Sequence, residues 1–264
     1  MLFFLKGKQQ PVVSLLNKLL QRSGPRLSHL NADGNGHSTN ADYDKDPQIL
    51  LSDENRQRCL EKMKKGAPAG AQLKGKEREK SFASVLIAIC TDDKGGKPSI
   101  LYTRRSRLLR RHMRQISFPG GIKDDNEDFV ECALRETEEE IGLSPGRVDV
   151  WGCGNLMKPP HTAAIMPVIG VVHNFNEAEL KLNTDEVEEA FAIPISLLAK
   201  PETLHYTQFK SGYSAPVFIV GDKKIWGITG FLTNTFLNSF LPTEYNHIKN
   251  RVKYIRPIKA PSMT

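Results

Sequence analysis

The segment "RETEEEIG" (135–142), together with the residues just before it, constrains the fold more than any other part of the sequence. Small and apolar residues recur there at spacings of three and four: Val130, Ala133, Leu134, Thr137 and Ile141. At roughly 100° per residue, these positions fall on one side of a helix. The pattern therefore predicts a helix over 128–141 that buries this side against the rest of the protein.

The same helix carries a high density of negative charge. Glu136, Glu139 and Glu140 share a face about 100° wide, whereas Glu131 and Glu138 point elsewhere and are expected to be solvated. Like charges at this spacing repel, by about a few tenths of a kcal/mol per pair. The cluster is either a solvated acidic face or a site for a hard cation such as Mg²⁺, which prefers oxygen ligands. Helix geometry alone leaves both interpretations open.

The flanking residues complete a longer pattern. From Gly121 the sequence reads G-x5-E-x7-R-E-x-x-E-E-x-G-x, and its fixed positions are Gly121, Glu127, Arg135, Glu136, Glu139, Glu140 and Gly142. This pattern resembles the Nudix box, the signature of a large hydrolase family. Thr137 replaces an apolar residue of the pattern, and Leu143 supplies its final apolar position. The resemblance implies a loop–helix–loop that binds Mg²⁺ or Mn²⁺ and hydrolyses a nucleoside diphosphate linked to another group.

The resemblance also implies roles for single residues. Glu136, Glu139 and Glu140 are the expected metal ligands, with Glu139 or Glu140 as the alternative general base. Glu127 is expected either to join through a water or to pair with Arg135. Arg135 can also reach Glu139 at i,i+4 and help to orient it.

Glycines bracket this segment for physical reasons. Gly120 and Gly121 follow Pro119 and let the backbone turn sharply beside the site. Gly142 can end the helix in a left-handed conformation.

A further carboxylate is expected from outside the box. The segment "NTDEVEEAFAIPISLL" (183–198) offers Glu186, Glu188 and Glu189, of which Glu186 is the preferred catalytic candidate. The other interpretation of this segment is a solvated loop followed by the start of a helix.

An arginine-rich stretch, "LYTRRSRLLRRHMRQISFPGG" (101–121), lies just upstream of the box. Guanidinium groups bind phosphate bidentately, so the stretch predicts a phosphate-binding surface, although a surface loop with incidental charges would look similar. Its spacing resembles the L-L-T-x-R-S-x3-R-x3-G-x3-F-P-G-G pattern of coenzyme A diphosphatases within the Nudix family. The matching positions are Leu101, Thr103, Arg105, Ser106, Arg110, Phe118, Pro119, Gly120 and Gly121. Tyr102 and Arg114 depart from the pattern, and Arg114 replaces its glycine.

This second resemblance implies a substrate. Coenzyme A or an acyl-coenzyme A would be cut at its diphosphate to give 3′,5′-ADP and (acyl-)4′-phosphopantetheine. Arg105, Arg110, Arg111 and Arg114 are the expected substrate-binding residues. The alternatives are a Nudix hydrolase for ADP-ribose, NADH or a capped RNA end, and a catalytically inactive Nudix module that only binds.

Composition changes along the chain and predicts its organisation. Residues 1–30 are basic, lack acids and carry apolar residues at helical spacing, which is typical of a mitochondrial transit peptide and points to the matrix; a floppy basic tail is the alternative. Residues 31–80 are expected to form a linker with a short helix over 52–66, and 246–264 a C-terminal tail. The ending "PSMT" is not a peroxisomal S-K-L address.

Residues 81–245 are expected to form the Nudix domain, an α/β (α+β) fold of the α/β/α sandwich type with a mixed sheet. The predicted strands are 82–91, 98–105, 148–157, 164–173 and 215–220. The predicted helices are 128–141, 194–199 and 228–240.

The remaining composition narrows the class of partner. The net charge is +7, but residues 1–32 supply +5 of it, so a domain-wide nucleic-acid surface is not expected. No apolar run reaches the roughly 20 residues needed for a membrane span. The four cysteines are too widely spaced for a zinc site and are expected to be free thiols. The expected partner is a small-molecule substrate, and the sequence leaves the oligomeric state open.

Overall fold

A mixed sheet of seven strands organises the protein. The computed structural model describes residues 47–65, 81–92, 97–110, 112–159, 162–208 and 214–241. The strands are β1 Phe82–Cys90, β2 Ser99–Arg105, β3 Ile116–Ser117, β4 Gly120–Ile122, β5 Asp149–Cys153, β6 Ala164–Val172, β7 Val187–Pro194, β8 Leu204–Gln208, β9 Ser214–Val220 and β10 Lys223–Ile225. The helices are α1 Pro47–Leu50, α2 Asp53–Lys65, α3 Phe129–Ile141, α4 Ile195–Leu198 and α5 Gly227–Phe240.

Strands β1 and β2 are paired at one end of the sheet and separate toward the other, which leaves a gap between them. Strand β6 pairs in parallel with the whole of β1 on one edge. On its other edge β1 pairs with β2 only at Ile89 and Cys90, and with β4 at Ala83, Ser84 and Val85. Strand β2 in turn pairs with β3 and with β7. The short strands β3 and β4 therefore fill the gap and place the turn 118–121, which includes the first two residues of β4, against the start of β1.

Both faces of the sheet are covered, which is why β1 is an almost continuous apolar run. Leu86, Ala88 and Cys90 pack in one core cluster with the buried side of α3. Ile87 and Ile89 face the opposite way, into a larger cluster that includes residues of α2, α5 and the second sheet β10–β9–β8. The described chain is thus an α/β/α sandwich with a mixed sheet, as the sequence predicts.

Helix α2 is part of this sandwich. The helix predicted over 52–66 is observed at Asp53–Lys65, and its residues Cys59 and Met63 are 0% and 2% exposed. The Arg58 guanidinium donates to the carbonyls of Phe240 at 2.8 Å and Leu241 at 3.2 Å, at the C-terminal end of α5, where cations interact favourably with the helix dipole. The short helix expected within 31–80 is therefore packed in the folded core.

Most predicted elements are found within one or two residues of their expected bounds. The strand predicted over 148–157 ends earlier, at Cys153. The alternative interpretation of 183–198, a solvated loop and helix start, is wrong for the middle of the segment, because Val187–Pro194 forms β7, a strand of the main sheet. Only the short helix α4 follows it. The predicted transit peptide (1–30) and C-terminal tail (246–264) lie outside the described residues.

Across the described residues, no helix combines the length and the apolar character needed to cross a membrane.

The packing of α2 predicts a clear stability effect. Met63→Ala should lower the free energy of unfolding by about 2–4 kcal/mol, because it leaves a cavity in the core. Lys64→Ala, at the exposed next position, should change it by about 0.5 kcal/mol or less. Urea unfolding measures both. Equal, small effects would show that α2 does not pack against the sheet.

Candidate active site

Helix α3 is capped at both ends. The Asp128 carboxylate accepts from the backbone N–H of Val130 at 2.7 Å and of Glu131 at 2.8 Å, while the Glu131 carboxylate accepts from the N–H of Asp128 at 2.8 Å. This reciprocal arrangement is a capping box. At the other end Gly142 has φ +71° and donates to the Glu138 carbonyl at 2.8 Å. The predicted left-handed end at Gly142 is therefore confirmed.

The predicted faces of this helix are also observed. Ala133, Thr137 and Ile141 are fully buried, whereas Glu138 is exposed. The Thr137 hydroxyl donates to the Ala133 carbonyl at 2.6 Å, so its polar group is satisfied within the helix. Threonine can thus occupy an apolar position without an unpaired polar atom.

Glu140 is the buried member of the acidic face, with only 3% of its surface exposed. Its Oε2 accepts from the Gly120 N–H at 3.3 Å, and its Oε1 lies 4.0 Å from the Arg105 guanidinium. Burial raises the pKa of Glu140 to about 7, against the opposing effects of these two groups. The carboxyl can therefore hold or release a proton near neutral pH.

Two glycines let the backbone approach these carboxylates. At Gly120, with φ +141°, a Cβ would stand 2.2 Å from the carbonyl oxygen of Ser84 on β1. At Gly121 a Cβ would stand 2.3 Å from Cδ of Glu136. The turn therefore presses its main chain directly against the Glu136 carboxylate, and no side chain fits between them.

Arg135 links the other acids of the box. Its guanidinium binds Glu127 bidentately, at 2.8 Å and 2.9 Å, and contacts Glu136 at 3.1 Å and Glu139 at 3.2 Å. Glu127 also accepts from the Asp124 N–H at 2.8 Å. The bond from Arg135 holds the pKa of Glu127 down at about 2. The predicted pairing of Glu127 with Arg135 is confirmed.

Glu186 lies outside the box, and its negative charge acts on two of the box carboxylates, Glu136 and Glu140. Burial is the main cause of the raised pKa of Glu136, and the charges of Glu139 and Glu186 raise it further. The charge of Glu186 likewise adds to the raised pKa of Glu140. The backbone agrees, because the Asn183 N–H donates to the Glu140 carbonyl at 2.9 Å and the Glu186 N–H donates to the Asn183 carbonyl at 3.0 Å.

The two neighbouring acids, Glu188 and Glu189, form ion pairs with basic side chains instead. Glu188 contacts the guanidinium of Arg107 at 3.0 Å and that of Arg114 at 3.5 Å. Glu189 contacts Arg104 at 3.0 Å and also pairs with Lys223. Of the three acids that the sequence offers at 186–189, Glu186 is the one placed beside the box.

The arginines of the upstream stretch do not form one patch. Arg104 turns away and pairs with Asp222 at 3.0 Å, while Arg105 reaches toward Glu140. Arg110 and Arg114 lie exposed on the loop between β2 and β3, and Arg111 lies outside the described residues. Arg114, which replaces a glycine of the family pattern, has φ +57°, a left-handed conformation that favours glycine.

Carboxylate oxygens, the donors gathered here, suit a hard divalent cation. Within the part of the chain that the structure describes, no three His, Cys, Asp or Glu side chains already surround one point as metal ligands. Glu136 and Glu139 contact Arg135 instead. Each contact uses one carboxylate oxygen, Oε1 of Glu136 and Oε2 of Glu139, so a cation could bind the second oxygen of each. Glu140 is held in place by the Gly120 N–H.

Comparison with known proteins identifies the class. The NUDIX domain family matches residues 80–211, which contain the mixed sheet, the capped helix and the carboxylates described above. The chain belongs to the Nudix family and is a Nudix hydrolase.

Its relatives make the comparison more specific. The chain is 37% identical over 201 residues to the mitochondrial coenzyme A diphosphatase NUDT8 of Homo sapiens, covering 74% of this chain and 82% of the human protein. The protein of the same name from Mus musculus is 36% identical, covering 74% and 92% of the two chains. The peroxisomal coenzyme A diphosphatase NUDT7 of Mus musculus is 35% identical over 127 residues, covering 47% of this chain and 52% of that protein.

The two glycines of the turn predict different defects. Gly120→Ala should lower the free energy of unfolding by about 2–4 kcal/mol, because both its φ and its contact with Ser84 exclude a side chain. Gly121→Ala should change stability by about 1 kcal/mol or less, since only the flexible end of Glu136 must move, but should lower kcat at least about tenfold. Urea unfolding and steady-state kinetics separate the two. The assignment fails if Gly121→Ala keeps full activity.

The buried Glu140 predicts a pH-dependent stability change. Its pKa is about 7 in the folded protein and 4.5 in the reference state, so the folded state binds more protons and stability falls as pH rises between these values. In metal-free protein, the Glu140→Gln variant should not lose stability in this way as the pH rises. The free energy of unfolding of the variant minus that of the parent chain should therefore be larger at pH 8 than at pH 5, by up to about 3 kcal/mol. Unfolding in EDTA at both pH values measures it, with Glu138→Gln as control; a difference independent of pH would contradict the burial of a carboxylate here.

Proposed function

We propose that this Nudix hydrolase cuts the diphosphate bond of coenzyme A or acyl-coenzyme A, with Mg²⁺ or Mn²⁺ as cofactor, giving 3′,5′-ADP and (acyl-)4′-phosphopantetheine. The observation that carries the proposal is the position of Arg105, whose guanidinium lies 4.0 Å from the buried Glu140 carboxylate at the root of the arginine-bearing loop. A guanidinium able to bind phosphate thus lies beside a carboxylate able to bind a metal. The names of the relatives that match most of the chain support the same substrate.

The residues that would hold the metal are Glu136, Glu139 and Glu140. A bound divalent ion supplies charge neutralisation at the phosphate oxygens and lowers the pKa of bound water. Glu186 adds a carboxylate beside Glu136 and Glu140 and is our candidate for general base, with Glu139 and Glu140 as the other carboxylates able to serve.

The bond changes follow from this arrangement. A water oxygen attacks one phosphorus of the diphosphate, its proton passes to a carboxylate of the site, and the bond from that phosphorus to the bridging oxygen breaks. The Arg105 guanidinium can bind phosphate oxygens as their charge increases. Arg135 keeps Glu127 ionised and orients Glu136 and Glu139.

Coenzyme A differs from ADP-ribose and NADH by one charged group. Coenzyme A carries a phosphate on the ribose in addition to the diphosphate, whereas ADP-ribose and NADH do not. The exposed loop arginines Arg110 and Arg114, with Arg111, are the residues we assign to substrate phosphates. For Arg114 this is the phosphate on the ribose, which ADP-ribose and NADH lack.

We place the protein in mitochondria, in the matrix. The acid-free basic segment 1–30 and the mitochondrial relatives support this location.

A substrate panel tests the proposal directly. The full chain with Mg²⁺ or Mn²⁺ is incubated with coenzyme A, acyl-coenzyme A, dephospho-coenzyme A, ADP-ribose and NADH, and the products are identified by mass. We expect 3′,5′-ADP and 4′-phosphopantetheine from coenzyme A, the highest kcat/KM for coenzyme A or its acyl form, and loss of activity in EDTA. A higher kcat/KM for ADP-ribose or NADH would contradict the proposed substrate.

A matched pair on α3 tests the ligand assignment. Glu140→Gln should lower kcat at least about 100-fold, because it removes a charged ligand while keeping the size of the side chain. Glu138→Gln, on the same helix but exposed, should stay within about twofold of the parent chain. An active Glu140→Gln enzyme would remove this residue from the assignment.

A further inference from the structure

The loop between β2 and β3 (106–115) is fixed to the site at its base. The Ser106 N–H donates to the carbonyl of Glu186 at 2.8 Å, and the Ser106 hydroxyl donates to that of Thr184 at 2.9 Å. At its return the Arg114 N–H donates to the carbonyl of Arg105 at 3.0 Å. Both ends of the loop are therefore tied to the backbone that carries Arg105 and Glu186.

A β-bulge places Glu188 beneath this loop. In the pairing of β2 with β7, Arg104 faces Glu189 and Arg105 faces Val187, so Glu188 is the extra residue without a cross-strand partner. A bulge redirects the side chain at its position, and bulges are enriched beside active sites. Here Oε1 of Glu188 lies 3.0 Å from the guanidinium of Arg107 and 3.5 Å from that of Arg114.

One carboxylate thus holds two guanidinium groups next to each other. The cluster of Arg107, Glu188 and Arg114 has a net charge of about +1 when all three are ionised. The side chains of Arg107 and Arg114 are 67% and 56% exposed, against 22% for Glu188, so most of their N–H donors face solvent. Two adjacent guanidinium groups with solvent-facing N–H donors can bind the oxygens of a phosphate monoester.

Position 114 gives a second, independent argument. The left-handed backbone there is less favourable for a residue with a side chain than for glycine. An exposed ion pair adds little or no stability in return. The arginine at this position therefore adds little to the fold, and what it adds to the molecule is a second guanidinium beside Arg107.

We propose that Arg107 and Arg114 form a subsite for the ribose phosphate that coenzyme A carries in addition to its diphosphate, and that Glu188 is the positioning residue that holds them together. The inference rests on the proposed coenzyme A diphosphatase function and assigns one part of the substrate to named residues. Arg107 stands at a variable position of the coenzyme A pattern and Arg114 at a departure from it, so the subsite is a property of this chain.

Arg114→Gly and Arg107→Gln are the test variants, with Arg147→Gln as control. Glycine suits the left-handed backbone at 114, so Arg114→Gly removes the guanidinium without straining the fold. Arg147 belongs to another exposed ion pair, with Glu179 at 3.3 Å, away from the loop. In the full chain with Mg²⁺, each test variant should lower kcat/KM for coenzyme A about tenfold, mainly through KM, and leave that for dephospho-coenzyme A within about twofold. Arg147→Gln should change neither.

The outcomes separate the subsite from the function it rests on. If the parent chain cleaves coenzyme A and its dephospho form with equal kcat/KM, or if the variants lose both equally, the subsite is refuted and the diphosphatase stands. If the parent chain cleaves neither, the diphosphatase proposal fails, and calorimetry decides the subsite. Adenosine 3′,5′-bisphosphate should then bind about tenfold tighter than AMP, with the preference lost in Arg114→Gly; equal binding in the parent chain overturns the inference.

The role of Glu188 has its own readout. Glu188→Gln should lower the preference for coenzyme A over dephospho-coenzyme A toward that of the arginine variants, because the two guanidiniums repel once the carboxylate charge is gone. The kcat for dephospho-coenzyme A should remain unchanged. A variant that loses stability in urea but keeps the full substrate preference would show that Glu188 is a structural ion-pair partner only.

Discussion

The carboxylate of Glu140 is withdrawn from solvent, and the arrangement of its neighbours follows from that. A buried carboxylate needs a donor or an opposite charge, and here the Gly120 N–H donates at 3.3 Å and the Arg105 guanidinium lies 4.0 Å away as the opposite charge. The Gly120 N–H can come this close because no side chain separates the turn from Ser84 on β1. The turn itself is held by the Leu86 N–H, which donates to the Pro119 carbonyl at 2.9 Å. Glu140 thus contacts two parts of the fold. The glycine turn between the diverging strands β1 and β2 supplies the N–H donor, and the end of β2 supplies Arg105.

The charge around this acid remains unbalanced. The charges of Glu136 and Glu186 add to that of Glu140, and Arg135 joins Glu136 to Glu127 and Glu139. Among the described residues, Arg135 and Arg105 are the guanidiniums placed against these five acids. The excess of negative charge is what a divalent cation would neutralise. The neighbouring loop between β2 and β3 carries a net positive charge, because Arg107 and Arg114 both contact the single carboxylate of Glu188. A metal-bound diphosphate that carries another phosphate nearby would be complementary to both regions.

Local spacing predicts the parts of this site that depend on one helix. The buried side of α3, the solvated Glu138 and the left-handed Gly142 all follow from periodicity, and the Asp128-x-x-Glu131 spacing also contains the capping box, a signal that the sequence interpretation leaves unused. Pairing between distant strands is not visible in this way. Strand β7 begins with acids that suggest a solvated segment, and it is a strand because it pairs with β2. The bulge that turns Glu188 toward the loop depends on that same pairing, so no local pattern predicts that Glu188 faces the loop arginines. Helix α2 is predicted correctly as a helix, but its burial depends on contacts with α5, about 180 residues away.

Mn²⁺ binding measured by calorimetry or electron paramagnetic resonance tests the central claim, that the acids on one face of α3 form a metal site. The full chain should bind Mn²⁺, and at about pH 7 binding should release protons, because the metal displaces those held by the Glu140 carboxyl group. Binding should be lost or weakened at least about tenfold in Glu136→Gln and Glu140→Gln, and unchanged in Glu138→Gln. Equal Mn²⁺ affinity in the parent chain and in Glu140→Gln would contradict the account.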